Sequence, residues 1–374
     1  MGIWDRLMGR SAPPVIFTPR VTQAGSWEEW WQEINTDLST ASPAALFRKQ
    51  THLRSVVTFR ARNVAQLGLH VYERVSDTDR RRDRSSVAAR ALAVADGVMT
   101  PYELVFALVG DLDLYDRAHW LVVPDADLPS GWMIRRLPPS WVTPERESAF
   151  EVHSWRVTSG KESVVIPAEH VLSFTGYSPT DPRRGSPAVD SLRDTLQEQI
   201  EAAVYRGQIW KRGGRVSSVI ERPKDAPQWS DPARESFRED WYAKYTGRGS
   251  KAGGTPILED GMTLKRVDFN AQEQQYVEAA KLSLTTVAAA FHVNPTMLGQ
   301  NDGANYSNVR EFRKALYTDT LGPLLAQIEG RLNAFLLPML GVDPARYYLE
   351  FNIEEKLQGN FEEQATALQS ATGA

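Results

Sequence analysis

Two pairs of aspartates are the first residues in this chain whose spacing could do chemistry. Asp111 and Asp113, and again Asp125 and Asp127, have the Asp-x-Asp form with which some proteins hold magnesium. No third carboxylate or glycine-rich partner stands beside either pair in a recognisable order. Both pairs therefore read as exposed loop acids, with a metal-dependent enzyme acting on nucleic acid or phosphate esters as the alternative. Gly247-Arg-Gly-Ser-Lys-Ala-Gly-Gly254 is the best phosphate-cradle candidate. It misses the P-loop spacing and precedes a strand rather than opening a helix, so its amides would not converge on a phosphate. It reads as a hairpin or a flexible loop.

Other chemistries fare no better. The six histidines, His52, His70, His119, His153, His170 and His292, are scattered without an HExxH or HxH pair. Those at 119, 153 and 170 fall in β-rich sequence and read as packed or hydrogen-bonded imidazoles. No GxSxG elbow is present. The chain has no cysteine, which removes disulfides, thiolate metal sites and cysteine nucleophiles. Tyr205-Arg-Gly-Gln-Ile-Trp-Lys-Arg212 interleaves cations with aromatics, but at a helix end, where cations complement the helix dipole in any case. The expectation is a protein with no catalytic residue, no metal and no cofactor.

The totals agree with an ordinary globular chain. Its 374 residues allow two or three packed units, and 42% hydrophobic content is unremarkable. A formal net charge of −4 gives no global pull toward nucleic acid. The start, MGIWDRLMGR, lacks the apolar run of a signal peptide, and Arg6 occupies the place where a myristoylation signal needs Ser or Thr. The longest apolar stretches, Leu104–Val109 and Leu332–Leu340, fall far short of the roughly 20 residues that cross a bilayer. A soluble chain, assembled in the cytoplasm, is expected.

The elements that must position these residues are legible in outline. Residues 1–25 carry Pro13-Pro14 and Pro19 and read as a loose arm. Ser42-Pro43 starts a helix predicted to run through Gln66, and Leu67–Val75 alternates as a strand. Asp77–Arg84, DTDRRRDR, reads as a solvated mobile loop, with a phosphate-binding patch as the lesser reading. Two helical segments separated by Thr100-Pro101 fill Val87–Tyr115, and short β runs fill Ala118–Phe174. After the turn Asp181-Pro-Arg-Arg-Gly-Ser-Pro187, Ser186 as cap and Pro187 open a long helix that Gly213-Gly214 ends. Leu192, Leu196, Ile200 and Val204 make a narrow stripe on it, better suited to packing against sister copies than to burial in one core. Residues 215–268 read as a small strand–helix–strand–strand insert, and Gln272–Phe291 as a second strong helix. A third helix from about Tyr306 to Leu337 kinks at Gly322-Pro323, and ARYYLEFNI closes the fold as a strand.

Several stretches in this order resemble the portal proteins, or head–tail connectors, of tailed double-stranded-DNA bacteriophages of the long-tailed type. They are the turn at 181–187, the helix exit Tyr205–Gly214 with Val219–Pro223, and Pro256-Ile-Leu-Glu-Asp-Gly-Met-Thr-Leu-Lys265. The most specific is AAAFHVNPTMLG, 288–299, followed by Tyr306-Ser-Asn308. The resemblance covers roughly residues 40–350; the Asp77–Arg84 run has no counterpart in it.

The resemblance implies an α+β, portal-type fold. An α/β wing over 26–185 would be followed by stem helix 186–212, a clip over 213–269 and stem helix 270–292. A tunnel loop over 293–306 and a return to the wing over 307–353 would complete it, and the short tail 354–374 implies a reduced or absent crown. It further implies a homo-oligomeric ring, typically of twelve subunits, at one capsid vertex of the virion. Double-stranded DNA would pass through without sequence specificity. Its partners would be the terminase large subunit, the major capsid protein or scaffold, and a head-completion or adaptor protein, with no membrane. The clip residues Lys224, Arg234, Glu235 and Arg238 would face terminase and adaptor. Leu192, Leu196, Ile200 and Val204 would form the seam between subunits. From Asn294 to Asn308 the only formal charge is Asp302, with no Lys or Arg. Such a lining can touch a phosphate backbone without holding it, which would put Gln300, Asn301, Asp302 and Asn305 nearest the duplex. A metal-dependent enzyme and a plain scaffolding or adaptor protein remain the rival readings.

Overall fold

The computed structural model describes residues 41–76, 79–146, 151–181, 183–211, 218–221, 223, 229–245, 258, 261–266, 284–300, 311–312 and 314–353. Two compact units emerge, one from 1–192 with 287–374 and the other from 193–286.

In the first unit the first helix begins where the sequence caps it. The Ser42 hydroxyl accepts the amide of Ala45 and Pro43 occupies the first turn, opening α1 (Pro43–Lys49). The expected single helix to Gln66 is two helices: the chain turns extended at Gln50, which is buried, and restarts as α2 (Thr51–Ala65). Strands β1 (Leu69–Arg74) and β2 (Arg80–Asp83) are followed by α3 (Val87–Ala93). A reciprocal capping box between Thr100 and Glu103 starts α4 (Pro101–Tyr115), which packs along α2.

The charge run is corrected by this arrangement. Within it, Arg80–Asp83 form no loop but the edge strand β2, paired antiparallel with β1. An edge strand needs no apolar alternation, because it buries little, and charges there discourage pairing with foreign strands. Two of the run's four arginines are also occupied: Arg81 pairs with Glu73 at 2.6 Å, Arg80 pairs with Glu350, and Arg80 lies 4.9 Å from the centre of the Tyr72 ring. On the other side of β1 the last strand, β11 (Tyr347–Phe351), completes a sheet in the order β11-β1-β2.

The β-rich segment folds as expected into antiparallel strands. They are β3 (Arg117–Pro124), β4 (Trp132–Leu137), β5 (Val142–Arg146), β6 (Val152–Ser159), β7 (Glu162–Pro167) and β8 (Val171–Thr175), in sheets β4-β3-β8 and β5-β6-β7. Strand β3 is buried on both faces. Ala118, Trp120 and Val122 point into the main core with α2, α4 and residues 316–351, whereas Leu121 and Val123 point into a second core with Trp155, Val157 and Ile166.

The returning helix is interrupted rather than simply kinked. Residues 316–320 and 332–336 are wide π turns flanking α8 (Gly322–Arg331), and α9 (Leu337–Met339) ends the run. Pro323 sits in the first turn of α8, where its missing amide leaves no bond unmade.

The turn α5 (Ala188–Ser191) also belongs to the first unit, with Leu192 at its end. The second unit holds α6 (Arg193–Lys211), the antiparallel pair β9 (Ser218–Glu221) and β10 (Thr263–Arg266), and α7 (Asp231–Tyr245). The rod expected from Pro187 is thus broken at Leu192, leaving 19 residues in α6, about 28 Å of helix.

Candidate functional site

The segment 284–300 is where the sequence points most specifically, and its described part is tightly built. Residues 284–290 are helical and bury Val287 and Ala288. The helix stops at His292, whose φ of 57° lies in the left-handed region, and the amide of Val293 folds back to the carbonyl of Ala288 at 2.8 Å. Asn294 then caps one 3-10 turn, Pro295–Leu298, by accepting the amide of Thr296 at 3.0 Å. Gly299, with φ 95°, takes the left-handed conformation that ends it. Gln300, half-buried, is the last described residue here; Asn301, Asp302 and Asn305 lie outside the described residues.

Two side chains from elsewhere in the first unit hold this segment by its backbone. Arg60 of α2 donates from Nη1 to the carbonyl of Phe291 at 3.3 Å and lies 5.6 Å from the centre of that ring. Thr320, in the first π turn, donates to the carbonyl of His292 at 2.6 Å. Arg60 is itself held by Asp113 of α4, Nη1 to Oδ1 at 3.3 Å. Burial pushes the Asp113 carboxyl up to about 6, with Arg60 pulling it down and the Asp116 charge adding to the rise.

Asp111 and Asp113 therefore correct the reading of exposed loop acids. They lie on a helix and are 3% and 6% exposed. Arg136 grips Asp111 bidentately, with both bonds at 2.6 Å. Their oxygens face guanidiniums, which is not the arrangement of a magnesium site. Asp125 is also buried, its Oδ1 accepting the amide of Asp127 at 3.0 Å inside a turn, while Asp127 is exposed. Among the described residues no three potential metal ligands cluster, and no helix is long and apolar enough to cross a membrane.

The third acid of the group, Asp116, ends α4 in the left-handed region with φ 51°. Its carbonyl accepts the amide of Gly176 at 2.9 Å, and its carboxylate accepts the amide of Ser186 at 2.8 Å. A Cβ on Gly176 would lie 1.9 Å from Asp116 Oδ1, and one on Gly185 would lie 2.4 Å from the Asp116 carbonyl oxygen. Both positions require glycine. Ser186 is thus not the helix cap that the sequence implied; its amide is a donor to Asp116, and Pro187 precedes α5 without a side-chain cap. The acidic end of α4 accordingly fixes both the turn that leads to α5 and the segment that follows the 284–290 helix.

The remaining predicted residues are dispersed. Leu192 and Leu196 are 3% and 0% exposed within the single chain, and Ile200 is half-buried, so the first half of the proposed seam is already covered. Val204 lies on α6. Arg234, Glu235 and Arg238 are exposed along α7, where Arg238 donates to Glu235 at 2.7 Å; Lys224 lies outside the described residues, as do the 247–254 loop, the arm and the tail. Of the histidines, His119 is packed as expected: Nδ1 meets the Ser173 hydroxyl at 2.9 Å, the ring tilts on Trp155, and burial lowers its pKa to about 3. His153 is exposed. Sequence reasoning missed Arg60, Asp116 and Thr320. Arg60 did leave a signal, a cation on the same stripe as Leu53, Val57 and Val64.

Comparison with known proteins adds a family. The family model described as "Phage portal protein" matches residues 51–374. An uncharacterized protein of Rickettsia felis is 26% identical over 181 residues, 47% of this chain and 47% of that protein, so the match spans about half the length of this curated relative. Among solved structures, the neck of an empty GTA particle computed with C6 symmetry is similar with TM-score 0.65 at 19% identity, covering 89% of both chains. An HK97-family phage portal protein from Corynebacterium diphtheriae gives TM-score 0.59 at 17% identity, covering 84% of this chain and 96% of that one.

Proposed function

Because the chain belongs to the phage portal protein family, we propose that it is a structural protein of the virion that assembles as a closed ring, with twelve copies, at one capsid vertex. Duplex DNA passes through the ring during packaging and ejection. The terminase large subunit docks on it first and head-completion or adaptor proteins afterwards, while the capsid protein or scaffold surrounds it. The α6 helix and the helix ending at Phe291 are its stem, residues 213–269 its clip, and 293–306 its channel loop. Assembly takes place in the host cytoplasm.

The observation that carries this reading is the mount. The helix end that leads into a loop expected to face moving DNA is tied by its backbone to two other elements through Arg60 and Thr320. Of the acids that would have served a metal-dependent hydrolase, Asp113 holds Arg60 in that mount and Asp111 is taken up by Arg136. Nothing in this arrangement forms or breaks a bond; it holds a segment of backbone in place.

Negative-stain microscopy of the purified chain, alone and after co-expression with its capsid protein, tests the proposal. Rings with a central hole wide enough for a duplex are expected. Small uniform particles with metal-dependent nuclease activity would overturn it, and assemblies without a channel would favour a scaffolding role.

A further inference from the structure

A cleft of about 760 Å³ opens on the first unit between β6, β8 and the 331–339 segment. Trp155, Leu172, Ser173, Arg183, Arg331 and Phe335 are among its lining residues. Two guanidiniums therefore share one cleft, and among the described residues neither has a carboxylate partner. Arg331 spends its Nε–H on the carbonyl of Ser173 at 2.8 Å and stacks 4.4 Å from the centre of the Phe335 ring. Its guanidinium is partly withdrawn from water, which lowers its pKa. Arg183 is half-buried, and among the described residues its Nη1 has no hydrogen-bond acceptor. The acid in the lining, Glu169, does not supply it: its side chain is 78% exposed and lies 3.6 Å from His170. Phe335 remains 46% exposed, a large apolar face beside the unpaired charge.

We infer that this cleft binds a carboxylate carried on an apolar body, as presented by an acidic side chain beside an aliphatic or aromatic one in a segment of a partner protein. The forked donors of Arg183 and Arg331 suit a planar carboxylate, and Phe335 and Leu172 supply the apolar wall. Nucleic acid fits less well, since a phosphate backbone calls for a row of cations rather than two beside an apolar face. The inference concerns a single chain and stands apart from ring formation and from the channel.

The test is fluorine NMR of 4-fluorophenylacetate titrated into the full-length protein. Saturable line broadening with a dissociation constant in the roughly millimolar range is expected, as befits so small a ligand. The uncharged 4-fluorophenylacetamide should show none. Arg183→Gln should weaken binding by about tenfold or more, since it removes a charge-assisted bond, with the thermal midpoint unchanged. Arg184→Gln, on the exposed neighbour, should bind as the parent does. If Arg183→Gln fails to fold, Arg331→Lys gives the second reading, because it keeps the charge and loses the fork. Equal binding of acid and amide, or an unaltered dissociation constant in both arginine variants, would overturn the inference. Stronger displacement by inorganic phosphate or a short DNA duplex would move the assignment to phosphate. Loss of self-association in Arg183→Gln without any binding of the probe by the parent would assign the cleft to a second copy of the chain.

Discussion

Arg60 has one acceptor, the Phe291 carbonyl, and one ion-pair partner, Asp113, so it supplies the positive charge beside a nearly water-free acid. Replacing it with methionine fills similar space but strands that acid. Breaking a buried pair by removing one partner costs roughly 3–5 kcal/mol, and Arg60→Met should lose about that much at pH 8. The loss depends on pH with a definite sign. The Asp113 pKa already stands at about 6, above its ordinary 3.8, so the folded chain binds that proton more tightly than the unfolded chain. This contribution to stability is fully present below the ordinary value and fades as pH rises through the folded one. Removing Arg60 raises the folded value further, so the penalty of Arg60→Met should be clearly smaller at pH 5 than at pH 8. Urea titrations of parent and variant at the two pH values measure the difference; an equal penalty at both would show that Asp113 is not the group left unpaired.

At the scale of elements, the caps and apolar runs were legible and the tertiary partners were not. Ser42-Pro43 and Thr100-Pro101 start helices because a cap acts on amides two or three residues away. The run containing Arg80–Asp83 was misread because an edge strand lacks the alternation by which strands are recognised. Asp111 was misread because Arg136, its partner, lies on a different element, and no local pattern carries that pairing. Similarly, Gly185 reads as an ordinary turn glycine, whereas its φ of 66° and the Asp116 backbone against it exclude any side chain. Gly185→Ala should therefore destabilise by about 1–3 kcal/mol, more than surface turn substitutions cost. Denaturation with Gly160→Ala as the comparison checks this, since Gly160 also has positive φ, 61°, but open space around it. Equal losses would mean that the Asp116 contact contributes nothing.

At the scale of the whole molecule, the candidate site is only partly readable from one chain, because its channel residues would meet DNA and sister copies. The sequence nonetheless carries a chemical statement there: Asp302 is the sole formal charge between Asn294 and Asn308. If that stretch lets a duplex slide, adding cations should retard it, because each neutralised phosphate adds affinity. Asn301→Lys with Asp302→Lys should slow packaging in an in vitro assay, with the slowing relieved by added salt. Unchanged rates would move the DNA-facing residues elsewhere.

The wide turn at 316–320 has a consequence for all these parts together. A π turn stores one residue more than an α turn without rotating the helix on either side. The chain thereby owns one residue of slack between the segment fixed at His292 and the buried stripe Leu324, Leu325 and Ile328. Shortening by one residue should be absorbed at Asp319 but not at Gln327, where the following residues would swing by about 100°. Thermal melts of the two single-residue deletions read this out, with the Asp319 deletion expected to retain a cooperative transition and the Gln327 deletion expected to lose it.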